Sequence, residues 1–450
     1  MKHTFRILAG MLLLLIPLCL NAQVKPKKTN PKPKQEIGQP KPTQPNADQA
    51  PVSPNVKPKA KPNNIKQGDP RKPEDPKKGA VPPKDKKDIK PGKPEKPEKP
   101  EKPEKPDNKD SKGGIELPRI SGFVQGMYQA DVNGNGELSN TFRMRRVRLS
   151  VDGTLFKGLT YKIQGDFVRS PMLVDAYLKY KVCNEFAIQV GQFKTPFTLE
   201  SPINPVNLEI FDYGESVQKL VGYSDVCGVG SLGRDLGIMA TGSLFPMKND
   251  KGAYNIVDYA VGVFNGNGAN QLDNNNRKDV VGRLEVHPGL QDLTISGSFY
   301  VGNYKKDDAN QGRRNRWSVG AQYNNGDFVV RAEYLNGTTG RMVDVLDTIG
   351  NVIATEELYR FSKGYYAVAG YNFKLGKDKS QNLMPVLRYE HFEPGDVDPV
   401  VFGSTNYYTV GINYWPIKSV NFKLDYSLVQ QIIGEKTNSH RIVGILSYKF

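Results

Sequence analysis

Asn421-Phe422-Lys423-Leu424-Asp425-Tyr426-Ser427-Leu428 alternates without a break. Phe422, Leu424, Tyr426 and Leu428 share one parity, and Asn421, Lys423, Asp425 and Ser427 share the other. Successive side chains of a strand point to opposite faces, so this stretch predicts a strand with one apolar and one charged face. The pattern recurs upstream. Phe328, Val330, Ala332 and Tyr334 alternate with Val329, Arg331 and Glu333, and Trp317, Val319, Ala321 and Tyr323 with Ser318, Gly320 and Gln322. Leu159, Tyr161, Ile163 and Phe167 alternate with Thr160, Lys162, Gln164 and Asp166.

A soluble sandwich shares this alternation, but three features predict a membrane barrel. The segments run longer than the five or six residues usual in soluble strands and match the ~9–11 tilted residues that cross a bilayer. Tyr and Phe sit near segment ends, where an interfacial girdle needs them. The chain stops on Phe450, which shares a face with Tyr448, Leu446 and Ile442. Strands are expected to start near residues 119, 142, 158, 172, 185, 234, 254, 278, 291, 313, 327, 363, 383, 402, 419 and 439. That predicts a 16-stranded antiparallel transmembrane β-barrel, an even number as single-chain barrels require.

Counted from a periplasmic N-terminus, the even gaps are short: Thr154–Lys157, Val182–Asn184, Pro288–Leu290, Asn325–Gly326 and Trp415–Lys418. Pro246–Ala253 and Leu375–Asn382 are longer exceptions. The odd gaps are long: Asp131–Thr141, Thr195–Gly233, Asn265–Arg277, Thr338–Ser362 and Glu393–Val401. Short turns on one side and long loops on the other fit such a barrel, and sixteen strands enclose a water-filled lumen.

The rest of the chain reads differently. Lys2 and Arg6 precede an apolar run from Ile7 to Leu20 and then Asn21-Ala22, which predicts a secretory signal peptide over 1–22, cleaved after Ala22. Residues 23–113 carry 25 basic and 13 acidic side chains and 21 of the 33 prolines. A segment so poor in apolar residues cannot offset its ordering entropy, so a disordered periplasmic linker is expected, either a solvated spacer or a cationic arm that contacts the cell wall. Residues 114–450, the expected barrel domain, are nearly balanced at 36 basic and 34 acidic. The chain's excess charge therefore says nothing by itself about ion selectivity. Cys183 and Cys227 are expected as free thiols.

Four motifs resemble the phosphate-selective porin O and P family over about residues 119–450. They are Phe142-Arg143-Met144-Arg145-Arg146-Val147-Arg148-Leu149, Asp175-Ala176-Tyr177-Leu178, Gly191-Gln192-Phe193-Lys194-Thr195-Pro196-Phe197 and Gly233-Arg234-Asp235-Leu236-Gly237. The resemblance implies an outer-membrane porin, trimeric, whose 39-residue third loop folds into the lumen and narrows it. It also implies selection of anions by basic side chains along the channel, with phosphate the solute of the family's name.

The candidate channel and anion-binding residues are Arg143, Arg145, Arg146, Arg148, Lys162, Lys179, Lys194, Arg234, Arg283, Arg331 and Arg388. Arginine suits oxyanions because its planar fork binds them at two points. Val147, Leu149 and Val151 mark the lipid face of the second strand, which turns Arg146 and Arg148 inward. Phe142 and Met144 have the other parity, so a bulge is expected at Arg145–Arg146, with Arg143 and Arg145 facing a loop or a subunit contact. The arginines either guide anions or pair with carboxylates of the constriction loop, which offers Glu200, Glu209, Asp212, Glu215 and Asp225 against Lys219. Same-face pairs at spacing two are expected for Arg283 and Glu285, Arg331 and Glu333, Arg388 and Glu390, and Lys423 and Asp425. Lys162 is expected to pair with Asp166, and Lys179 with Asp175. No nucleophile motif or metal-ligand spacing accompanies His287, His391 or His440, so no enzyme activity, metal or cofactor is expected. The expected partners are outer-membrane lipid and further copies of the chain, with no nucleic acid.

Overall fold

The computed structural model describes residues 117–308, 310–347, 352–395 and 402–450. The expected signal peptide, the linker and parts of three outer loops lie outside the described residues.

Sixteen strands form one closed antiparallel sheet. They are β1 Arg119–Val132, β2 Leu138–Phe156, β3 Leu159–Asp166, β4 Leu173–Lys181, β5 Ala187–Lys194 and β6 Arg234–Asn249. Next come β7 Gly252–Phe264, β8 Asp279–Val286, β9 Leu293–Val301 with its continuation Asn303–Lys305, and β10 Gln311–Asn324. The last six are β11 Phe328–Leu346, β12 Val352–Tyr371 with its continuation Phe373–Leu375, β13 Gln381–Glu393, β14 Ser404–Ile417, β15 Val420–Ile433 and β16 Glu435–Lys449. Each strand pairs with its neighbours in sequence, and β1 closes on β16 from Phe123 opposite Lys449 to Val132 opposite His440. The chain end completes the seam. Gly122 and Phe450 exchange backbone bonds at 3.0 and 3.1 Å. A Cβ on Gly122 would stand 2.4 Å from the Arg148 carbonyl oxygen and 2.7 Å from the Phe450 ring, so glycine is needed there.

The β15 stretch shows which way the alternation points. Phe422, Leu424 and Tyr426 are 40–54% exposed, while Asn421, Lys423, Asp425 and Ser427 are at most 4% exposed. Apolar side chains outside and charged ones inside invert the rule for soluble proteins, and that inversion is what a lipid-facing barrel wall requires.

Two expectations about connections are corrected. The two long periplasmic exceptions shorten: β6 and β7 pair to Asn249 opposite Gly252, and Leu375 pairs with Gln381, which leaves residues 376–380 as the turn. Thr338–Ser362 is not an irregular loop. β11 and β12 stay paired from Phe328 opposite Tyr371 to Leu346 opposite Val352 and run well past the apolar band.

Residues 195–233 form the third loop and turn inward. The loop contains a short 3-10 turn, Pro205–Asn207, and the helix α1, Glu215–Val221. Gly222 ends α1 in the left-handed region, where its N–H reaches the Gln218 carbonyl. The loop's Phe197, Leu208, Ile210, Val217 and Leu220 pack against inward Phe264, Val281, Leu335, Tyr366 and Val386 of the wall. The apolar core therefore lies inside the barrel, between the loop and the β7–β13 side.

Candidate constriction site

The bulge in β2 sets up the site. Gln125 pairs with Arg146 and Gly126 with Met144, which leaves Arg145 as the extra residue. Both Arg145 and Arg146 consequently point inward, as does Arg148, at 8, 2 and 5% exposure. Arg145 thus contacts the loop, not a neighbouring subunit. Arg143 is exposed, and its Nη2 donates to Gln129 Oε1 at 3.2 Å.

Every acidic side chain named in the loop is consumed by a cation. Asp212 binds Arg145 and, at 3.1 Å, Arg146. Glu209 takes Arg331 at 2.5 Å, and Glu200 takes Arg388 and, at 3.6 Å, Arg331. Asp225 takes both guanidinium nitrogens of Arg316 at 2.6 Å. Glu215 meets Lys219 at 3.6 Å. Burial opposes ionisation of Asp212, Glu209 and Asp225, yet the facing arginines hold all three carboxyls below their ordinary values. Of the two readings open from sequence, pairing with the loop describes Arg145, Arg146, Arg331 and Arg388.

Further hydrogen bonds between wall and loop reinforce these pairs. Leu199 N donates to Glu333 Oε1 at 3.0 Å, and Ser216 N and Oγ donate to Glu390 Oε1 at 2.8 and 2.7 Å. Asn413 Nδ2 donates to the Glu209 carbonyl at 2.7 Å. Lys423 Nζ donates to the Leu208 and Ile210 carbonyls, the latter at 3.1 Å. Gly214 sits so close to the wall that a Cβ would lie 1.8 Å from Arg388 Nη2.

Four expected wall pairs are therefore not formed. Arg331 binds loop carboxylates while Glu333 accepts from the Leu199 amide and Tyr366. Lys423 holds loop carbonyls, and Asp425 has no side-chain partner among the described residues. Asp166 pairs with Arg148 at 3.0 Å, not with Lys162, and Asp175 pairs with Arg234 at 2.7 Å, not with Lys179. Two pairs do form: Arg283 with Glu285 at 3.3 Å and Arg388 with Glu390 at 3.4 Å.

Open space remains on the opposite side. A cavity of about 220 Å³ lies between the loop's Pro202, Asn204 and Pro205 and a wall carrying Arg148, Lys162, Lys194, Arg234 and Asp175. Lys194 Nζ is held by the Ser201 and Ile203 carbonyls and by the Tyr213 hydroxyl. A second cavity of about 290 Å³ has Lys179, Lys181, Arg283 and Glu285 in its lining. Among the described residues, neither Lys162 nor Lys179 forms an ion pair. Rings of fixed charge in a confined space set which ions enter. This wall offers surplus positive charge to the remaining lumen. Sequence reading missed Lys181, and also Arg314, which binds Asp279 at 2.6 Å, and Arg316. The shared parity of Arg314 and Arg316 with Ser318 was the available signal.

A family model described as phosphate-selective porin O and P matches residues 119–441. The chain belongs to that family. It is an outer-membrane channel protein of the porin type. Solved structures repeat the architecture. An anion-selective porin from Comamonas acidovorans is 13% identical, with a TM-score of 0.52 over 74% of this chain and 99% of that one. The outer-membrane channel DcaP of Acinetobacter baumannii is 16% identical, with a TM-score of 0.51 over 76% and 99%. OmpF of Salmonella typhi, solved with daunomycin, is 15% identical, with a TM-score of 0.52 over 74% and 97%. At these identities the likeness is one of fold. No curated protein matches the chain.

Proposed function

We propose that this porin passes small anions, inorganic phosphate among them, in preference to cations. One observation supports this reading above the others: the third loop's named carboxylates are all occupied, while Lys162 and Lys179 on the open side have no ion pair among the described residues. The loop therefore contributes bulk to the constriction but little negative field. Purified protein in planar bilayers under a potassium chloride gradient tests the reading. Step conductance with a reversal potential towards the chloride equilibrium value is expected. Steps that favour potassium would overturn the preference, and an absence of steps would overturn conduction itself.

We further read the barrel as one copy of a homotrimer, as the family resemblance implies. Residues 1–22 act in this reading as a cleaved signal peptide, and residues 23–113 as a periplasmic linker. The linker's net charge of +12 favours a second role, a tether to the anionic cell wall. Retention of the full chain on purified cell wall at physiological salt, lost when 23–113 is deleted, is the expected result. Equal retention of both forms would leave a spacer only.

A further inference from the structure

The cavity beside the third loop offers more than charge. Three of its four cations are already engaged: Arg148 by Asp166, Arg234 by Asp175, and Lys194 by loop carbonyls and the Tyr213 hydroxyl. The fourth, Lys162, has no side-chain partner among the described residues. Three uncharged polar groups in the same lining also lack a partner among the described residues: the Tyr177 hydroxyl, the Gln189 side-chain amide and Asn204 Nδ2. Asn204 Oδ1 is held by the Val206 amide at 3.3 Å, which orients that side chain. Gln189 is only 7% exposed. A buried amide without a partner is unfavourable, so a ligand that supplies one gains by binding there.

Strand register sets the spacing of these groups. Lys162 on β3 stands directly opposite Tyr177 on β4, and Tyr177 stands opposite Gly191 on β5, which puts Gln189 on the diagonal. Opposite Cβ atoms lie ~5 Å apart and diagonal ones ~7–8 Å. Asn204 faces them from the loop. The remaining surface is apolar, supplied by Phe193, Pro202 and Pro205 and by the ring of Tyr177. Tyr177 and Phe193 meet edge to face, with ring centroids 6.0 Å apart.

This combination describes a ligand. An apolar cavity of about 150 Å³ holds benzene, so the observed 220 Å³ admits a six-membered ring with its substituents. The ammonium of Lys162 calls for one negative charge. The amides and the phenol each donate hydrogen bonds, and the Gln189 oxygen and the phenol also accept them, which suits hydroxyl groups. The prolines and aromatic rings suit the C–H face of a ring. Inorganic phosphate meets the first requirement, carries no apolar face and leaves most of the space unfilled.

We propose that this cavity is a binding site for a monosaccharide acid, a hydroxylated six-membered ring bearing one carboxylate. The carboxylate meets Lys162, the hydroxyls meet Tyr177, Gln189 and Asn204, and the ring lies against the prolines. The inference rests on the anion reading above and names the class of anion held most tightly. A channel site must also release its occupant, so binding is weak, and it shows as a block of the small-ion current.

The test measures that block with the full chain in planar bilayers under potassium chloride. The probes are D-glucuronate, D-glucose, cyclohexanecarboxylate and inorganic phosphate. Glucose lacks the carboxylate, cyclohexanecarboxylate lacks the hydroxyls, and phosphate lacks the ring. Glucuronate is expected to halve the current at a concentration roughly tenfold below that of each other probe. Gln189→Met and Tyr177→Phe each remove one polar group and keep most of the bulk, and step conductance shows that a variant has folded. Each should raise the half-blocking concentration of glucuronate roughly fivefold and that of cyclohexanecarboxylate by less than about twofold. If the channel favours chloride but glucuronate blocks no better than glucose, cyclohexanecarboxylate or phosphate, the site is overturned and the anion reading stands. A block by glucuronate that both variants leave unchanged would overturn the site in the same way. A reversal potential that favours potassium would overturn the anion reading and this inference with it.

Discussion

Replacing Lys162 with Glu reverses one charge at the cavity beside the loop, and the cavity's size sets the expected effect. A sphere of the observed 220 Å³ places an ion at its centre roughly 5 Å from a lining charge. In a water-like dielectric, a change of two charge units at ~5 Å is worth about 1.7 kcal/mol. Screening at 0.1 M salt, with a Debye length near 10 Å, reduces that to about 1 kcal/mol. The anion loses this amount and a cation gains it, so the permeability ratio shifts by about 2 kcal/mol, or roughly 30-fold. The lower dielectric of the protein wall makes these figures lower bounds. Reversal potentials in a potassium chloride gradient are expected to change sign in Lys162→Glu and to move about half as far in Lys162→Gln. An unchanged reversal potential in Lys162→Glu would show that ions do not pass this cavity, and the reasoning would fail.

Other perturbations act on the loop. Glu200→Gln weakens the clamp on Arg388 and Arg331, but Glu390 and Glu209 remain as partners. A cost of about 2–3 kcal/mol is expected, below the 3–5 kcal/mol typical of a fully broken buried pair, read as noisier conductance and faster proteolysis within 195–233; a quiet, resistant variant would contradict it. Gly214→Ala drives a methyl into Arg388, so the loop should be displaced and single-channel conductance should rise or folding yield fall; wild-type values of both would count against the packing. The depressed carboxyls of Asp212, Glu209 and Asp225 contribute stability that is complete above their ordinary values near pH 4 and is lost as pH falls through their lowered ones. Open-channel noise should therefore rise as pH falls below about 4, and noise unchanged down to about pH 2 would contradict the pairing.

The barrel was legible in the sequence because its wall obeys a local rule. Parity assigns every residue of Asn421–Leu428 to lipid or lumen, and the slip at Arg145–Arg146 announced the bulge. The wall's partners were less legible. Residues at spacing two on one strand stand about 6.7 Å apart along it, too far for most to meet without bending. The loop instead brings carboxylates face to face with the wall, so Arg331 finds Glu209, while Arg234 on β6 finds Asp175 two strands away on β4. Such contacts depend on where a 39-residue loop lands, and no local pattern records that. The hairpin of β11 and β12 was hidden for another reason. Beyond the hydrocarbon the apolar alternation stops, yet backbone pairing continues without it.

The central claim is that a positively charged aqueous path survives between the third loop and the β2–β6 wall. Asn204, exposed on the loop's face of the cavity, reports on that path directly. In a Cys183→Ser background, Asn204→Cys should be modified by a negatively charged methanethiosulfonate several times faster than by a positively charged one of similar size, with a drop in current. No current change with either reagent, or faster reaction with the cation, would contradict it.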